Sequence, residues 1–402
     1  MFDKSWDYVW NRLFDRRTCL FYDYVTDNSD LGIPDDAVSH LPSPELIKRQ
    51  IPNPGGFGTG MEDCALSAGT MMDTVVARYK ATGDISMKEY ASAVYKGMEL
   101  LTDVCETTGF VARGVSPVDK KSHYYNSSRD QFTHWVWGAW LFFFSGLADD
   151  REKESVKERM ARIAGMCEKR CVEENGYDLL RDDGGAAIVS KMWGDVDSHE
   201  IGRLPMFYLA AWSITGDSHW RDLYLGMREK AYRMTLPYDM NGHPVYAGLQ
   251  LQYSLRLMHD AEDDPEWKER YRALMARIAD GYEKTVAYQT ESLMKPERSA
   301  KLSLKMLRWD KAMAAYRGFI GGYAYYCPWQ QETVDSAFYP LLNVGESASI
   351  AALCPGYEVS HETAECIHEI EDRLDTAHHS TYAPMAILNA GWRIKLAEKK
   401  LS

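Results

Sequence analysis

The sequence predicts an all-α chain folded as a single (α/α)6 toroid, six helical hairpins closed into a double ring. Three observations predict it. Long helical segments of two kinds alternate along the chain; six of them are apolar nearly all round; and Gly-Asp or Asp-Asp stops punctuate the change from one kind to the other. A helix apolar on every side must be buried on every side, whereas one with a charged face borders solvent. The apolar set therefore forms an inner barrel and the amphipathic set its outer shell. A helical solenoid would carry a tighter sequence repeat and polar caps at both ends; here the hairpin rhythm comes without a sequence motif. Residues 1–402 are expected to form one domain.

In chain order, "MFDKSWDYVWNRLFDRR" opens as an amphipathic helix and supplies the first outer element. The first inner helix is "MEDCALSAGTMMDTVVARYKATGD" (61–84), followed by the amphipathic "ISMKEYASAVYKGMELLTDVC" (85–105). "RDQFTHWVWGAWLFFFSGLADD" (129–150) is the second inner helix and the most aromatic, and "KESVKERMARIAGMCEKRCVEE" (153–174) covers it. The third pair is "GRLPMFYLAAWSITGD" (202–217) with "SHWRDLYLGMREKAYRMTL" (218–236), the fourth "YAGLQLQYSLRLMHDA" (246–261) with "PEWKERYRALMARIADGYEKTVA" (265–287). The fifth inner helix is "VGESASIAALCPG" (344–356), its outer partner "SHETAECIHEIEDRLD" (360–375), and "TYAPMAILNAGWRIKLA" (381–397) is the sixth. Each amphipathic segment carries its apolar stripe at helical spacing. Strand signals are few, with "GFVARGV" and "HPVYAG" as short β pieces in loops, and residues 285–335 are the least regular part.

Composition narrows the function. The formal net charge of −13 opposes phosphate backbones, so general nucleic-acid binding is not expected. No apolar run approaches the ~20 residues of a membrane span. The N-terminus lacks the continuous apolar region of a signal peptide, so the expected location is cytoplasmic, or periplasmic if a leader has been removed. The 12 Trp and 25 Tyr offer flat faces with a polar edge, which suit sugar rings as well as cores. The eight cysteines form no disulfide framework. Cys167 and Cys171, four apart on a helix, and the pair His378-His379 are the nearest approach to ligand spacing. Neither carries the regular third ligand of a metal site, and no metal or cofactor is expected.

In a double ring the N-terminal ends of the inner helices gather at one mouth, where aligned dipoles favour anions and entering loops carry function. The residues at these openings are the candidates: Glu62 and Asp63; Arg129, Asp130 and His134; Asp195, Asp197, His199 and Arg203; Tyr246 and Gln250; Glu332 and Asp335; His378, His379 and Tyr382. Burial and like-charge neighbours raise a carboxyl pKa, as a general acid near neutral pH requires. Two carboxyls facing one another across a cleft are the equipment of glycoside hydrolysis.

Each candidate has a structural alternative. Asp130 sits in a first helical turn, where acids serve the dipole, and Ser128-x-x-Gln131 has the form of a capping box. Glu62 and Asp63 meet the same objection, countered by Gly55, Gly56, Gly58 and Gly60, which form a loop whose backbone can approach a ligand closely. His134 also fits a hydrogen-bonded core histidine. Trp137 and Trp140 read as core, whereas Trp135 lies nearer the helix start. Arg203, one turn into an apolar helix, must pair its charge, because unpaired burial is too costly.

These residues resemble those of the six-hairpin glycosidases, particularly the unsaturated glucuronyl and rhamnogalacturonyl hydrolases and related β-glucuronidases. The resemblance covers most of the chain as a helix plan. "MEDC" is similar to the acidic opening of that family's first inner helix, "SSRDQFTHW" to the Asp that opens the second, and Arg203 to an arginine of the third. It implies catalysis by Asp130 with Asp63 or Glu62, Asp130 donating the proton and activating water. It also implies a uronate-containing oligosaccharide as substrate, its carboxylate held by Arg203, Arg129 and Arg113, whose guanidinium forks suit it. Tyr125, Trp135, Trp193 and Tyr382 would line the sugar pocket, joined by His134, Asp197, His199 and His379. Polysaccharide lyases and N-acylglucosamine epimerases share the toroid, and fold alone does not choose among them. In a lyase, His199, His134 or Tyr125 would remove the C5 proton. A carbohydrate-binding toroid without turnover is the non-enzymatic alternative.

Overall fold

A computed structural model describes residues 1–26, 36–295, 318–320, 323–325 and 338–401. Its elements are overwhelmingly α-helical. The apolar segments form α3 (Cys64–Thr82), α5 (Arg129–Ser145), α7 (Arg203–Thr215), α9 (Val245–Ala261), α11 (Phe338–Leu353) and α13 (Pro384–Leu401). The amphipathic ones form α1 (Asp3–Tyr8), α4 (Met87–Asp103), α6 (Asp150–Arg170), α8 (Ser218–Thr235), α10 (Pro265–Met294) and α12 (His361–Arg373); a short α2 (Pro44–Lys48) lies in a loop. Among the described residues, no helix is long and apolar enough to cross a membrane.

The glycine–aspartate stops act in two ways. α3, α5 and α7 end on Gly83, Gly146 and Gly216, all at positive φ, where glycine lacks the Cβ penalty. An aspartate opens α6, α8 and α10, whereas Ser86 stands at the start of α4. Asp149 accepts from the Glu152 N–H in a reciprocal capping box, Asp217 accepts from His219 N–H, and Asp264 accepts from Glu266 N–H. One short polar stretch thus terminates a buried helix and starts an exposed one.

The apolar helices pack in a closed circuit: α3 on α5, α5 on α7, α7 on α9, α9 on α11, α11 on α13, and α13 back on α3. The amphipathic helices lie against successive members, with α4 touching α3 and α5, α6 touching α5 and α7, α10 touching α9 and α11, and α1 and α12 against α13. The α3–α5 contact is the closest. A Cβ on Gly69 would stand 2.2 Å from the His134 carbonyl oxygen, and one on Gly138 would stand 3.0 Å from the Gly69 Cα. Opposite that contact, α3 and α13 are joined by charge. The Arg393 guanidinium pairs with Asp73, which also accepts from Asn389 Nδ2, and all three side chains are buried.

Several local expectations change. The N-terminal helix is short: α1 passes into a π-helical turn, Val9–Leu13, and then a two-residue hairpin of β1 (Phe14–Asp15) and β2 (Leu20–Phe21). "HPVYAG" is no strand, because Pro244 holds an extended N-cap position and Val245 begins α9. "GFVARGV" forms only an isolated bridge, Val115 to His123. α10 continues as helix to Met294, past the expected start of irregular chain. Farther on, Gly318–Ile320 (β3) pairs with Tyr323–Tyr325 (β4). Each described cysteine is a free thiol.

Candidate active site

The segments leading into α3, α5 and α13 meet through their side chains. Asp63 occupies the N-cap position of α3, yet its carboxylate makes no cap bond to that helix. It accepts instead from Gln131 Nε2 of α5 (2.8 Å) and from the Tyr382 hydroxyl (3.3 Å), with Arg113 Nη1 3.6 Å away. The helix is capped from outside: Gln131 Oε1 accepts the Leu66 N–H, and Asp23 accepts the N–H groups of Glu62 (2.7 Å) and Asp63 (3.0 Å). This satisfies orphan donors at the helix start while leaving the Asp63 carboxylate to face its neighbours.

The capping box expected at Ser128 and Gln131 does not form. Ser128 makes no side-chain cap, its hydroxyl is buried without a partner, and Gln131 reaches across to α3. The glycine-rich loop also differs from expectation. Residues 53–60 are buried, a Cβ on Gly56 would strike the Tyr124 ring, and the Gly58 N–H donates to Glu62 Oε2. Its close approach is to the protein's own groups.

A second set centres on Asp130, in the first turn of α5. Its carboxylate pairs with Nη1 of Arg203, and Arg203 Nη2 donates to Gln250 Oε1 of α9. Arg129 pairs with Glu200 and donates to the Lys191 carbonyl. Asp63 and Asp130 belong to one electrostatic neighbourhood, since the Asp130 charge acts on the Asp63 carboxyl.

That neighbourhood drives the two carboxyls in opposite directions. Burial, then the Asp130 charge, pushes Asp63 above the usual carboxylate range against the pull of Arg113, Gln131 and Tyr382. Burial also acts upward on Asp130, but Arg203, Arg129 and His134 outweigh it and hold the group below that range. Glu62 is pushed up to about 8 by burial and by Asp63, and Asp23 likewise reaches about 8. Among the described residues, Asp23, Glu62 and Asp63 share a site with one cation, Arg113, and Asp23 and Glu62 hold protons at neutral pH. Asp130 is held as the ionised member, which does not fit the proton-donor part expected of it.

The remaining candidates divide. Tyr382 bonds Asp63 and, with Glu346 and Asn389, lines a narrow cavity of about 20 Å³. Arg113 is committed: Nη1 donates to the Glu62 carbonyl and the guanidinium stacks 4.8 Å over Phe57. His134 is a core histidine whose Nδ1 bonds the Asp130 carbonyl, and burial lowers it to about 4. His199 lies beside Glu200, pushed down to about 3 by burial, then by Arg203. Asp197 is exposed in the loop before α7.

Four expected pocket residues face elsewhere. Trp135 is fully buried and its indole N–H donates to the Met98 carbonyl of α4. Trp193 packs under the Lys230 ammonium of α8. His379 is buried against Tyr8 and bonds Thr381. Tyr125 stands edge-on to His123, which pairs with Asp182 in a loop-to-loop tie. Of the four only Trp135 is helical, and its periodicity shows that it is buried but not which neighbour it faces. Exposed His378 pairs with Asp375. Glu332 and Asp335 lie outside the described residues.

Two residues of the site escaped sequence reasoning. Asp23 follows β2 in irregular chain, with no pattern to mark it. Glu346 had a signal, a single acid inside the apolar α11, which is the argument already applied to Arg203. It lines the cavity under Tyr382, one carboxylate oxygen is buried without a partner, and burial pushes it up to about 8. A raised carboxyl keeps its proton in the native state while the unfolded chain loses it, so Glu346 costs stability progressively from about pH 4.5 to about pH 8. Glu346→Gln, which cannot titrate, is expected to lose less melting temperature than the wild type between pH 5 and pH 9. Equal losses in thermal melts of the two proteins would contradict this placement of Glu346.

Comparison of the chain with family models, curated proteins and solved structures found no match.

Proposed function

We propose that the closed helical circuit is an (α/α)6 toroid and that its mouth is the active site of a glycoside hydrolase for uronate-containing oligosaccharides. One observation carries the proposal: two buried carboxyls at neighbouring helix openings, Asp63 and Asp130, are pushed in opposite directions from the usual carboxylate range, Asp63 up and Asp130 down. Pairs of titratable groups pushed apart by their surroundings mark an acid and a base. Asp63 is the proton donor and Asp130 the ionised partner that accepts a proton from the attacking water. With a saturated uronide the Asp63 proton goes to the leaving oxygen. With an unsaturated one it goes to C4 of the C4=C5 enol ether, and water adds at C5. In both cases Asp63 loses one proton, Asp130 gains one, and water ends as hydroxyl on the sugar.

An anionic substrate is supported by the arginines. Arg129, half-buried, and Arg203, fully buried, lie beside each other's charge, and each keeps a buried Nε–H without an acceptor. Buried donors of this kind are costly unless something accepts from them, and a uronate carboxylate is such an acceptor. Glu62 and Asp23, both holding protons, form a reserve behind Asp63.

The lyase alternative needs a base strong enough for the C5 proton. His134 and His199, at about 4 and about 3, are too weak, and Tyr125 stands at the His123–Asp182 tie. The test is a set of saturated and Δ4,5-unsaturated uronate oligosaccharides, followed by release of reducing ends. Turnover with new reducing ends and no new ultraviolet-absorbing product is expected. Formation of an absorbing product from the saturated set marks a lyase and overturns the proposal.

A further inference from the structure

The loops before α7 and α9 bring Asp197, His199 and His243 together, with one ligand atom from each within 4.8 Å of the other two. We propose that this cluster binds a divalent transition-metal ion of the zinc class through the Asp197 carboxylate, His199 Nδ1 and His243 Nε2. Nothing in the hydrolase proposal requires it, and the two stand or fall separately.

The imidazole tautomers carry the argument. His243 Nδ1 lies 2.8 Å from the Asp239 carbonyl, an acceptor only, so Nδ1 holds the proton and Nε2 keeps its lone pair. A histidine ligand oriented by a backbone carbonyl on its other nitrogen is the usual support of a metal site. His199 is more than nine-tenths buried; its Nε2 faces Glu200 at 3.6 Å, and its Nδ1 is buried without a partner. A buried ring nitrogen with no hydrogen-bond partner needs an explanation, and a metal supplies one. The rings of His199 and His243 lie 4.7 Å apart.

Charge and geometry agree with a cation. Arg129 and Arg203 are nearby, but each is already paired, with Glu200 and Asp130. The exposed Asp197 then makes the immediate cluster net negative. Zinc–ligand bonds of about 2.0–2.1 Å set ligand atoms about 3.3 Å apart in a tetrahedron, which rotation of the exposed Asp197 side chain can reach. Two histidines and one carboxylate leave a fourth position open.

The test is Co2+ titration of the full chain, followed by visible absorption and competition with Zn2+. One Co2+ per chain with tetrahedral d–d bands is expected, displaced by Zn2+, with affinity lowered at least about 10-fold in His243→Ala and in Asp197→Asn. Asp197 is exposed, so its variant keeps the fold, and a far-ultraviolet melt checks His243→Ala. Absence of the bands overturns the proposal, as does an unchanged affinity in both variants. A near-ultraviolet thiolate charge-transfer band also overturns it, because it assigns the metal to cysteine, with Cys105 beside His123 and Asp182 the first place to look.

Discussion

Asp63→Asn is expected to lower kcat on a uronate disaccharide by about 10³-fold, within the range that general acid–base groups contribute. The amide has no acidic proton to give, whereas burial and the Asp130 charge favour the protonated form of Asp63. The amide fills the same space, its oxygen still accepts from Gln131 and its NH2 can donate to the Tyr382 hydroxyl, so the fold and KM should change little. Asp130→Asn is expected to cost as much for a different reason. It removes the ionised partner and leaves the buried Arg203 without its counter-charge. The two variants should separate in pH–rate profiles: Asp63→Asn loses the limb that falls at high pH, and Asp130→Asn the limb that rises at low pH. A leaving group that departs readily without protonation should rescue Asp63→Asn and leave Asp130→Asn impaired. Retention of wild-type turnover by either folded variant contradicts the assignment.

Removing Arg393 should produce the largest loss of stability. Its guanidinium and the Asp73 carboxylate are buried where the last helix of the circuit meets the first, and Asn389 gives Asp73 a further donor. Burial lowers the Arg393 pKa to about 9, a measure of how poorly solvated the cation is. Breaking one side of a buried pair costs about 3–5 kcal/mol because the other charge stays behind, whereas replacing both with apolar groups of similar volume is often neutral. Arg393→Met alone should therefore lower the unfolding free energy by about that amount, and Arg393→Met with Asp73→Leu should regain most of it. Denaturant unfolding of the four proteins in this cycle gives the coupling directly. Additive losses would mean that α3 and α13 are not joined through this pair.

The helices were legible because burial and exposure leave different periodicities, and because Gly146 and Gly216 stop buried helices just before aspartates that start exposed ones. Position at a helix opening also brought Asp63, Asp130, Arg203 and Tyr382 into view, since the segments entering α3, α5, α7 and α13 are where polar groups interrupt apolar sequence. Direction was not legible. Nothing in "RDQFTHW" distinguishes a Gln131 that caps its own helix from one that caps α3, or a Trp135 aimed at α4 from one aimed at the mouth. Protonation was legible only as a class, because the sign depends on partners far apart in sequence. Asp130 lies low through Arg203, 73 residues on, while Asp63 lies high because Arg113 only partly offsets its burial. Asp23 belongs to the same difficulty, lying 40 residues before the N–H it accepts.

The most direct test follows ultraviolet absorbance while the purified chain is incubated with a Δ4,5-unsaturated uronate disaccharide and, separately, its saturated counterpart. New reducing ends are expected from at least one of them, with loss of absorbance whenever the unsaturated sugar is the one cleaved, no gain of absorbance from the saturated one, and none of these changes with Asp63→Asn. A rise in absorbance from the saturated sugar, or no turnover of any uronate substrate by folded protein, would contradict the hydrolase proposal.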